Sequence, residues 1–311
     1  MPHLSPYSLG ATLYMPATRD DICEVILDNK ICGLRSLVIC LEDAVTEKDV
    51  PLALHNLHEI LRVINDAPKK NERPLLFIRP RNIEMGRKLV DEFALENING
   101  FVLPKFTIAS LPQWTNILAN THLLWMPTLE TQDVFDVLAM RELASALYLS
   151  PCRDKILALR IGGNDLMNVL SLRRSRDMTL YDGPLGYVFK MLVSTFSAKN
   201  FALTAPVCEL IDSPSLLEKE LQQDIEHGMV GKTAIHPTQI SLIQKAFSVE
   251  PYDYEDALRI INSEQAVFKS NGAMCEPSTH RRWAQNILMR ANKFGIKTNT
   301  IHLHNAHINQ G

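Results

Sequence analysis

The sequence lacks the features that mark several common protein classes. No stretch approaches the roughly 20 apolar residues of a membrane-spanning helix, and the first ten residues have neither the basic start nor the apolar core of a signal peptide. Lysine and arginine form no long basic run, and the formal net charge is −3. Neither a nucleic acid nor a membrane is therefore expected as the main partner, and a cytoplasmic location is expected.

Paired cysteines are also missing. The six cysteines are scattered without a Cys-x-x-Cys pair, so in a chain of this length we expect reduced, mostly buried thiols. Apolar residues make up 46% of the chain and charged residues 22%, as in an ordinary globular protein with a sizeable core. A length of 311 residues allows two average domains or one large α/β barrel.

Short apolar runs recur along the chain, separated by stretches with helical spacing of apolar residues. The runs predict strands at Ala11–Met15, Ser36–Leu41, Leu75–Ile78, Gly100–Leu103, Leu123–Met126, Ile156–Ile161, Phe201–Val207 and Lys232–Ile235. Eight strands alternating with helices are typical of a closed (β/α)₈ TIM barrel. An open doubly wound sheet is the alternative, but no run carries the charges that protect an exposed edge strand.

Beyond the eighth run, the sequence predicts a C-terminal helical extension. We place the TIM-barrel domain in residues 1–246 and the extension in residues 247–311. The elements predicted beyond the eighth run are a helix over Ile240–Ala246, a break at Pro251–Glu255, a helix over Asp256–Phe268, a turn over Ser270–Ser278 and a helix over Thr279–Phe294. For three closely spaced histidines in the final polar segment, a frayed terminus is favoured over a metal site: His302, His304 and His307.

Ionisable side chains follow the predicted strands one after another. Because the catalytic groups of a TIM barrel lie at the C-terminal ends of its strands, these residues are candidates for a site. In chain order they are Arg19, Glu42, Asp43, Arg79, Arg81, Lys105, Glu130, Asp165, Glu209 and His236. The alternative is a solvated rim whose charges pair with one another.

Glu130 and Asp165 each end an apolar run. Neighbouring strands lie roughly 4.8 Å apart, so these carboxylates can point into one space, where they would repel unless they share a proton or a cation. Mg²⁺ usually takes one or two protein carboxylates and keeps positions for water and substrate oxygens. Gly162 and Gly163 allow a close backbone approach, and Arg79 offers a planar fork for a substrate carboxylate. This set of residues suits the stabilisation of an enolate.

Six segments occur in an order that resembles the citrate lyase β-subunit-like proteins of the HpcH/HpaI aldolase superfamily. They are Leu13–Arg19, Leu41–Val45, Ile78–Asn82, Val102–Lys105, Thr128–Thr131 and Ala234–Pro237. The resemblance covers most of the chain and implies a Mg²⁺-dependent carbon–carbon lyase on a TIM barrel. It further implies a small carboxylate or an acyl thioester, such as one of coenzyme A, as substrate, and a homotrimer or homohexamer as the assembly.

The resemblance also implies residue roles. Glu130 and Asp165 match the metal ligands, Arg79 matches the residue that binds the substrate carboxylate, and Glu42 and Asp43 match residues near the water shell of the metal. These residues are therefore the expected metal-binding and catalytic groups.

Three further residues are expected to serve the site. Arg19 and Lys105 lie in matching segments and are expected to bind substrate. Glu276 matches an acidic position in the family's C-terminal extension, and would protonate the enolate from across a subunit boundary. The family has aspartate there, one methylene shorter.

Three arginines follow Asp165 in a segment that departs from the family, namely Arg173, Arg174 and Arg176. They could bind the phosphates of coenzyme A, or belong to a solvated loop. Three functions follow from the whole sequence: a Mg²⁺-dependent lyase or aldolase acting on a 3-hydroxy acid or its thioester, a thioester hydrolase with the same site, or a non-catalytic scaffold subunit.

Overall fold

Eight parallel strands form the centre of the first part of the chain. The computed structural model describes residues 4–68 and 73–298. The strands are β1 (Gly10–Pro16), β2 (Ser36–Cys40), β3 (Leu75–Arg79), β4 (Gly100–Leu103), β5 (Leu124–Leu129), β6 (Leu159–Ile161), β7 (Leu203–Thr204) and β8 (Gly231–Ala234).

The strands pair in chain order from β1 to β7, and β8 pairs with β1. Between β7 and β8, the Ala205 N–H donates to the Gly231 carbonyl over 2.8 Å, and the Thr233 N–H donates to the Ala205 carbonyl over 3.2 Å. These bonds complete the ring of strands. The predicted TIM barrel, with a helical C-terminal extension, is confirmed.

Helices follow the strands around the barrel. They are α1 (Ile22–Leu27), α2 (Val50–Asp66), α3 (Ile83–Glu92), α4 (Leu111–Leu118), α5 (Val137–Leu149), α6 (Gly163–Val169), α7 (Leu185–Leu192), α8 (Pro214–Glu226) and α9 (Thr238–Ala246). Side chains cap two of their N-termini: Asn82 accepts from the Met85 N–H, and Asp136 accepts from the Leu138 N–H. None of the helices that the structure describes combines the length and hydropathy needed to cross a bilayer.

Apolar side chains fill the barrel at a level away from the rim. Leu9, Val38, Phe77, Val102 and Met126 form one buried cluster. Layers of inward-facing side chains of this kind make the interior of a TIM barrel a packed core. Polar and charged side chains can therefore face the interior only in the layers nearer the C-terminal ends of the strands.

Two strands are shorter than the sequence predicts. The apolar run Ile156–Ile161 contributes only β6, with one isolated bridge between Ile156 and Trp125. The run Phe201–Val207 contributes the two residues of β7 and one isolated bridge between Ala205 and Lys232, and Pro206 has no N–H with which to continue the ladder.

The chain divides into two compact units, with the division between Ala246 and Phe247. The second unit contains α10 (Pro251–Asn262), β9 (Phe268–Ser270), β10 (Ala273–Cys275) and α11 (Pro277–Phe294). Its own buried core includes Val249, Ala257, Ile260, Ala284 and Ile287. Whether this unit packs on a neighbouring subunit stays a prediction. His302, His304 and His307 lie outside the described residues.

The sequence-based interpretation of this second unit was wrong in two places. Pro251–Glu255 begins α10 and does not end a helix, since proline is well accommodated in a first helical turn. The helix ends at Asn262, not at Phe268, and the segment predicted as a turn, Ser270–Ser278, contains the end of β9 and all of β10, which pair antiparallel. Asn271 and Gly272 join these strands with φ of 46° and 83°, as a two-residue hairpin loop requires.

A buried ion network joins β8, α8 and the segment after α6. Lys232 Nζ lies 2.9 Å from both Glu220 Oε1 and Asp224 Oδ2. Arg174 donates to Glu220 Oε2 over 2.5 Å and to Glu209 Oε2 over 2.7 Å. Burial opposes ionisation of Glu220, but Lys232 and Arg174 outweigh it and lower its pKa to about 2.

This network changes the interpretation of the three arginines after Asp165. Arg174 has a side chain only 1% exposed and is bound on all sides by protein groups, including the Val207 carbonyl. It is therefore a structural residue and not a phosphate ligand. Arg173 and Arg176 remain exposed.

Replacing Lys232 with Met should lower the free energy of unfolding by about 3 to 5 kcal/mol, because it leaves Glu220 and Asp224 buried with too little positive charge. Denaturant unfolding measures this change. The matched control is Lys88→Met, which removes an exposed pair with Glu92 and should cost less than about 1 kcal/mol. Equal losses in the two variants would contradict a stabilising role for the network.

Candidate active site

Charged side chains gather where β2 to β6 end. Arg79 is the last residue of β3, and Glu130 directly follows β5. Lys105 lies two residues beyond β4, and Asp165 lies in the first turn of α6, after β6. Because the strands are parallel, all of these positions lie at one rim of the barrel, where TIM-barrel enzymes carry their active sites.

Arg79 is the centre of this rim cluster. Its guanidinium contacts Glu42, lies 3.2 Å from Asp43 Oδ2, and lies 3.0 Å from Glu130 Oε1. Lys105 Nζ contacts Glu42 from the other side. The alternative of a rim whose charges pair with one another thus accounts for these contacts. It does not account for the two neighbouring carboxylates of Glu130 and Asp165 beside Arg79.

Glu130 is held from two directions. Its Oε1 accepts from Arg79 and also from the backbone N–H of Lys105 over 2.8 Å. Lys105, whose N–H makes this bond, has a φ of +46°, a left-handed conformation that is uncommon for a lysine. The carboxylate is fixed in place before any ligand arrives.

Glu130 and Asp165 disturb each other's ionisation. Burial raises the pKa of Glu130, Arg79 opposes this, and the charge of Asp165 raises it further, to about 7. Burial and the charge of Asp43 raise the pKa of Asp165, which lies within hydrogen-bonding reach of Glu130. The raised pKa values mean that the two carboxylates tend to hold a proton, and a cation bound by both would take the place of that proton.

The charge balance of the rim cluster favours a divalent cation. Four carboxylates, of Glu42, Asp43, Glu130 and Asp165, are connected to only two cationic side chains. With all four ionised, the cluster carries an excess of two negative charges. Within residues 4–68 and 73–298, no three His, Cys, Asp or Glu side chains form a metal-ligand group. The residues therefore fit Mg²⁺, which binds through one or two carboxylates together with water and substrate oxygens.

Gly162 provides the room that Glu130 needs. A Cβ at this position would lie 2.3 Å from Glu130 Oε2 and 2.5 Å from Glu130 Cβ. At the next residue, a Cβ on Gly163 would lie 2.9 Å from Pro206. The two glycines let the backbone after β6 pass directly against the carboxylate and start α6, which carries Asp165.

A cavity of about 340 Å³ opens beside these groups. Its lining includes Tyr14, Arg79, Glu130, Arg160, Asp165 and Thr233. The volume is in the range of small-molecule sites. The cavity therefore joins the rim cluster to polar side chains inside the barrel.

One residue predicted for the site, Arg19, makes its contacts outside the rim cluster, and Glu276 is described within the second unit alone. Arg19 is exposed, and its guanidinium donates two hydrogen bonds of 2.7 Å to Asp21; its predicted part in substrate binding stays a prediction. Glu276 belongs to the second unit, at the N-terminus of α11, where its Oε2 lies 3.4 Å from Thr279 Oγ1. Its proposed action across a subunit boundary also stays a prediction.

Arg160 and Tyr14 were missed by the sequence analysis. Arg160 lies within β6, between apolar neighbours, and Tyr14 lies within β1. Both were counted as members of apolar runs, and Tyr14 also as part of the segment Leu13–Arg19, but neither was given a role in the site. A charged residue inside such a run was the available signal, since a buried charge requires a reason.

Comparison with known proteins assigns the chain to a family. A family model described as C-C_Bond_Lyase of the TIM-barrel fold matches residues 3–296. The chain belongs to this family. The resemblance to citrate lyase β-subunit-like proteins is confirmed by this match and by the structural neighbours, which supports an enzyme of that superfamily.

The chain is similar to a named enzyme and to several proteins of solved structure. A (3S)-malyl-CoA thioesterase from Cereibacter sphaeroides (strain ATCC 17023) is 24% identical over 253 residues, 81% of each chain. The crystal structure of CitE from Mycobacterium tuberculosis with magnesium, acetoacetate and coenzyme A has a TM-score of 0.66 and 22% identity, covering 92% of this chain and 99% of that one. The citrate lyase β subunit from the same organism, complexed with oxaloacetate and magnesium, has a TM-score of 0.58 and 22% identity, covering 78% and 99%.

Replacing Gly162 with Ala should lower the free energy of unfolding by about 1 to 3 kcal/mol, because the new methyl group overlaps the fixed carboxylate of Glu130. Gly183→Ala is the control, since a Cβ there meets no atom closer than 3.9 Å and should change stability by less than about 1 kcal/mol. Chemical denaturation of both variants provides the comparison. A Gly162→Ala protein as stable as the control would show that Glu130 is free to move.

Proposed function

We propose that this protein is a Mg²⁺-dependent carbon–carbon lyase or aldolase acting on a 3-hydroxy acid or its acyl thioester. The observation that carries the proposal is the Glu130–Asp165 pair beside Arg79 at the rim of the barrel. Glu130 and Asp165 would hold the metal. Bound Mg²⁺ supplies positive charge that stabilises an enolate as the carbon–carbon bond breaks.

Arg79 would bind a carboxylate of the substrate. Its bonds to Glu42 and Glu130 fix the guanidinium, and both of these acids are buried. Asp43, whose side chain is 54% exposed, is the partner that an incoming carboxylate would displace. Lys105 would add positive charge beside the same group.

The proton transfers assign two further roles. Asp43 lines the cavity and would accept the proton of the 3-hydroxyl group, directly or through water, with Glu42 as the alternative base. The electron pair of the broken carbon–carbon bond then becomes the enolate. Glu276 would return a proton to the enolate carbon from the second unit of a neighbouring subunit in a homotrimer or homohexamer.

A thioester hydrolase is the second candidate, because the curated relatives are named (3S)-malyl-CoA thioesterases. The same groups would then activate water, whose oxygen bonds to the thioester carbonyl while the thiolate leaves. The name of these relatives, and the coenzyme A in the CitE complex, support a coenzyme A thioester as the substrate in either case.

Mg²⁺ and oxalate together should raise the melting temperature, because oxalate is a planar diacid that resembles an enolate and can chelate the metal. When the free ligand is at about 100 times the dissociation constant, binding stabilises the native state by about 2.7 kcal/mol, which raises the melting temperature by roughly 4 °C for a chain of 311 residues. Asp165→Asn should abolish the joint effect. Asp177→Asn, an exposed acid in the following segment, is the control and should retain it.

The absence of any shift in the unmodified protein would remove the metal site from the proposal. The scaffold hypothesis would then lead, and association with a partner protein would be the next property to measure.

Product analysis separates the lyase from the hydrolase. With a 3-hydroxyacyl-coenzyme A substrate, a lyase releases an oxo compound and a shorter acyl thioester, with no free thiol. A hydrolase releases the intact hydroxy acid and one equivalent of free thiol, which a thiol reagent detects. Asp165→Asn should lose whichever activity is present by at least about 100-fold, the usual size of an electrostatic contribution to catalysis.

A further inference from the structure

Arg160 is a buried cation at the inner end of the cavity. Its residue exposure is 1%, and it lines the cavity together with Tyr14 and Thr233. It donates to Thr233 Oγ1 over 2.6 Å and lies 3.4 Å from Thr12 Oγ1. Its guanidinium carbon lies 5.3 Å from the centre of the Tyr14 ring.

None of these contacts is with a carboxylate, and Glu130 favours the charged form of Arg160 only from beyond contact distance. The partner atoms are hydroxyl oxygens, an aromatic ring and, at 3.8 Å, the sulfur of Met126. In the part of the chain that the structure describes, no carboxylate forms an ion pair with Arg160. This contrasts with Arg79 and Arg174, which each contact at least two carboxylates.

A buried charge with no counter-ion in contact is costly. Burial lowers the pKa of Arg160, yet an arginine side chain remains protonated in proteins. A methionine or leucine of similar volume would fill the barrel without this cost. The arrangement is therefore explained most directly by an anion that enters the cavity and pairs with the guanidinium.

The position of Arg160 fixes where that anion would lie. Arg160 is paired in register with Thr128, and Glu130 lies two residues further along β5. Two residues of strand correspond to roughly 7 Å, and the guanidinium extends further from the rim, because it contacts Met126 Sδ and Thr12 Oγ1. A chain of about four or five carbon atoms can span that separation from the proposed metal site.

We propose that Arg160 determines specificity by binding a second carboxylate of the substrate, so that the oxo-acid fragment is a dicarboxylate. This inference rests on the proposed function, because one end of that fragment would be held at the rim by Arg79 and the metal. Thr233 and Tyr14, which also line the cavity, contact the guanidinium, and the fully buried Thr12 contacts it as well.

Binding of matched oxo acids to the full chain with Mg²⁺ tests this proposal. The pairs are oxaloacetate against 2-oxobutyrate, and 2-oxoglutarate against 2-oxopentanoate, which differ only in the terminal carboxylate. The diacid of at least one pair should bind about tenfold or more tightly than its monoacid, the effect expected of one charge-assisted pair. Phosphonopyruvate separates a terminal carboxylate from a phosphonate or phosphate group.

Arg160→Met should remove the preference for the diacid while leaving Mg²⁺-dependent binding of the monoacid within about twofold. Arg160→Lys keeps the charge without the planar fork, and should retain part of the preference if the methionine variant fails to fold. The metal-free methionine variant should melt at a higher temperature than the unmodified protein, whereas a purely structural arginine would give a lower one.

Four results would overturn the assignment, three of them without affecting the proposed function. Equal affinity for diacid and monoacid, with Mg²⁺-dependent binding intact, would exclude Arg160 as a carboxylate site and leave the proposed function standing. An unchanged preference in Arg160→Met would do the same. Tighter binding of phosphonopyruvate than of either diacid, lost in Arg160→Met, would replace the carboxylate with a phosphoryl group. Absence of any Mg²⁺-dependent oxo-acid binding would instead overturn the proposed function and this inference together.

Discussion

The site depends on the contact of one guanidinium with three carboxylates. Arg79 ends β3 and reaches Glu42, Asp43 and Glu130 from neighbouring parts of the rim. Without its charge, these acids would repel each other and take up protons. Arg79 thus allows a group of acids to collect at one place, yet it does not neutralise them fully, because Asp165 adds a further negative charge close to Glu130.

Buried charges in this barrel fall into three kinds. The network around Lys232 and Glu220 lies between β8 and α8, and its charges are paired within the network. Its expected role is therefore in stability and not in catalysis. The rim cluster has too little positive charge, and Arg160 contacts no carboxylate directly in the part of the barrel that the structure describes. A substrate that chelates the metal at one end and carries a negative charge at the other would interact with the rim cluster and with Arg160 at the same time.

Much of the barrel could be predicted from the sequence because parallel strands buried on both faces form continuous apolar runs. The same criterion hid Arg160, since a run counted as apolar conceals one charged member. It also gave no sign that Arg174 is buried, because its partner Glu220 is 46 residues away in the chain. The rim residues Glu130 and Asp165 were found because they end such runs.

The second unit shows where local patterns were misjudged. Pro251 was taken as a helix breaker although proline is common in the first helical turn. The Asn271–Gly272 pair is a strong hairpin signal, but its flanking strands contain only three residues each. Such short strands show too little alternation to be recognised without their pairing.

The brevity of β6 and β7 has a consequence for the mechanics of the barrel. With three and two residues, they contribute few ladder hydrogen bonds, so this sector is the most weakly tied part of the ring, and we expect it to open locally before the others do. Asp165 follows this sector, whereas Glu130 follows the longer β5 and is held by Arg79 and Lys105. A cation bound by both carboxylates would therefore link the β6–β7 part of the ring, which has few ladder hydrogen bonds, to the better-connected β5. This link would exist only while the cation is bound.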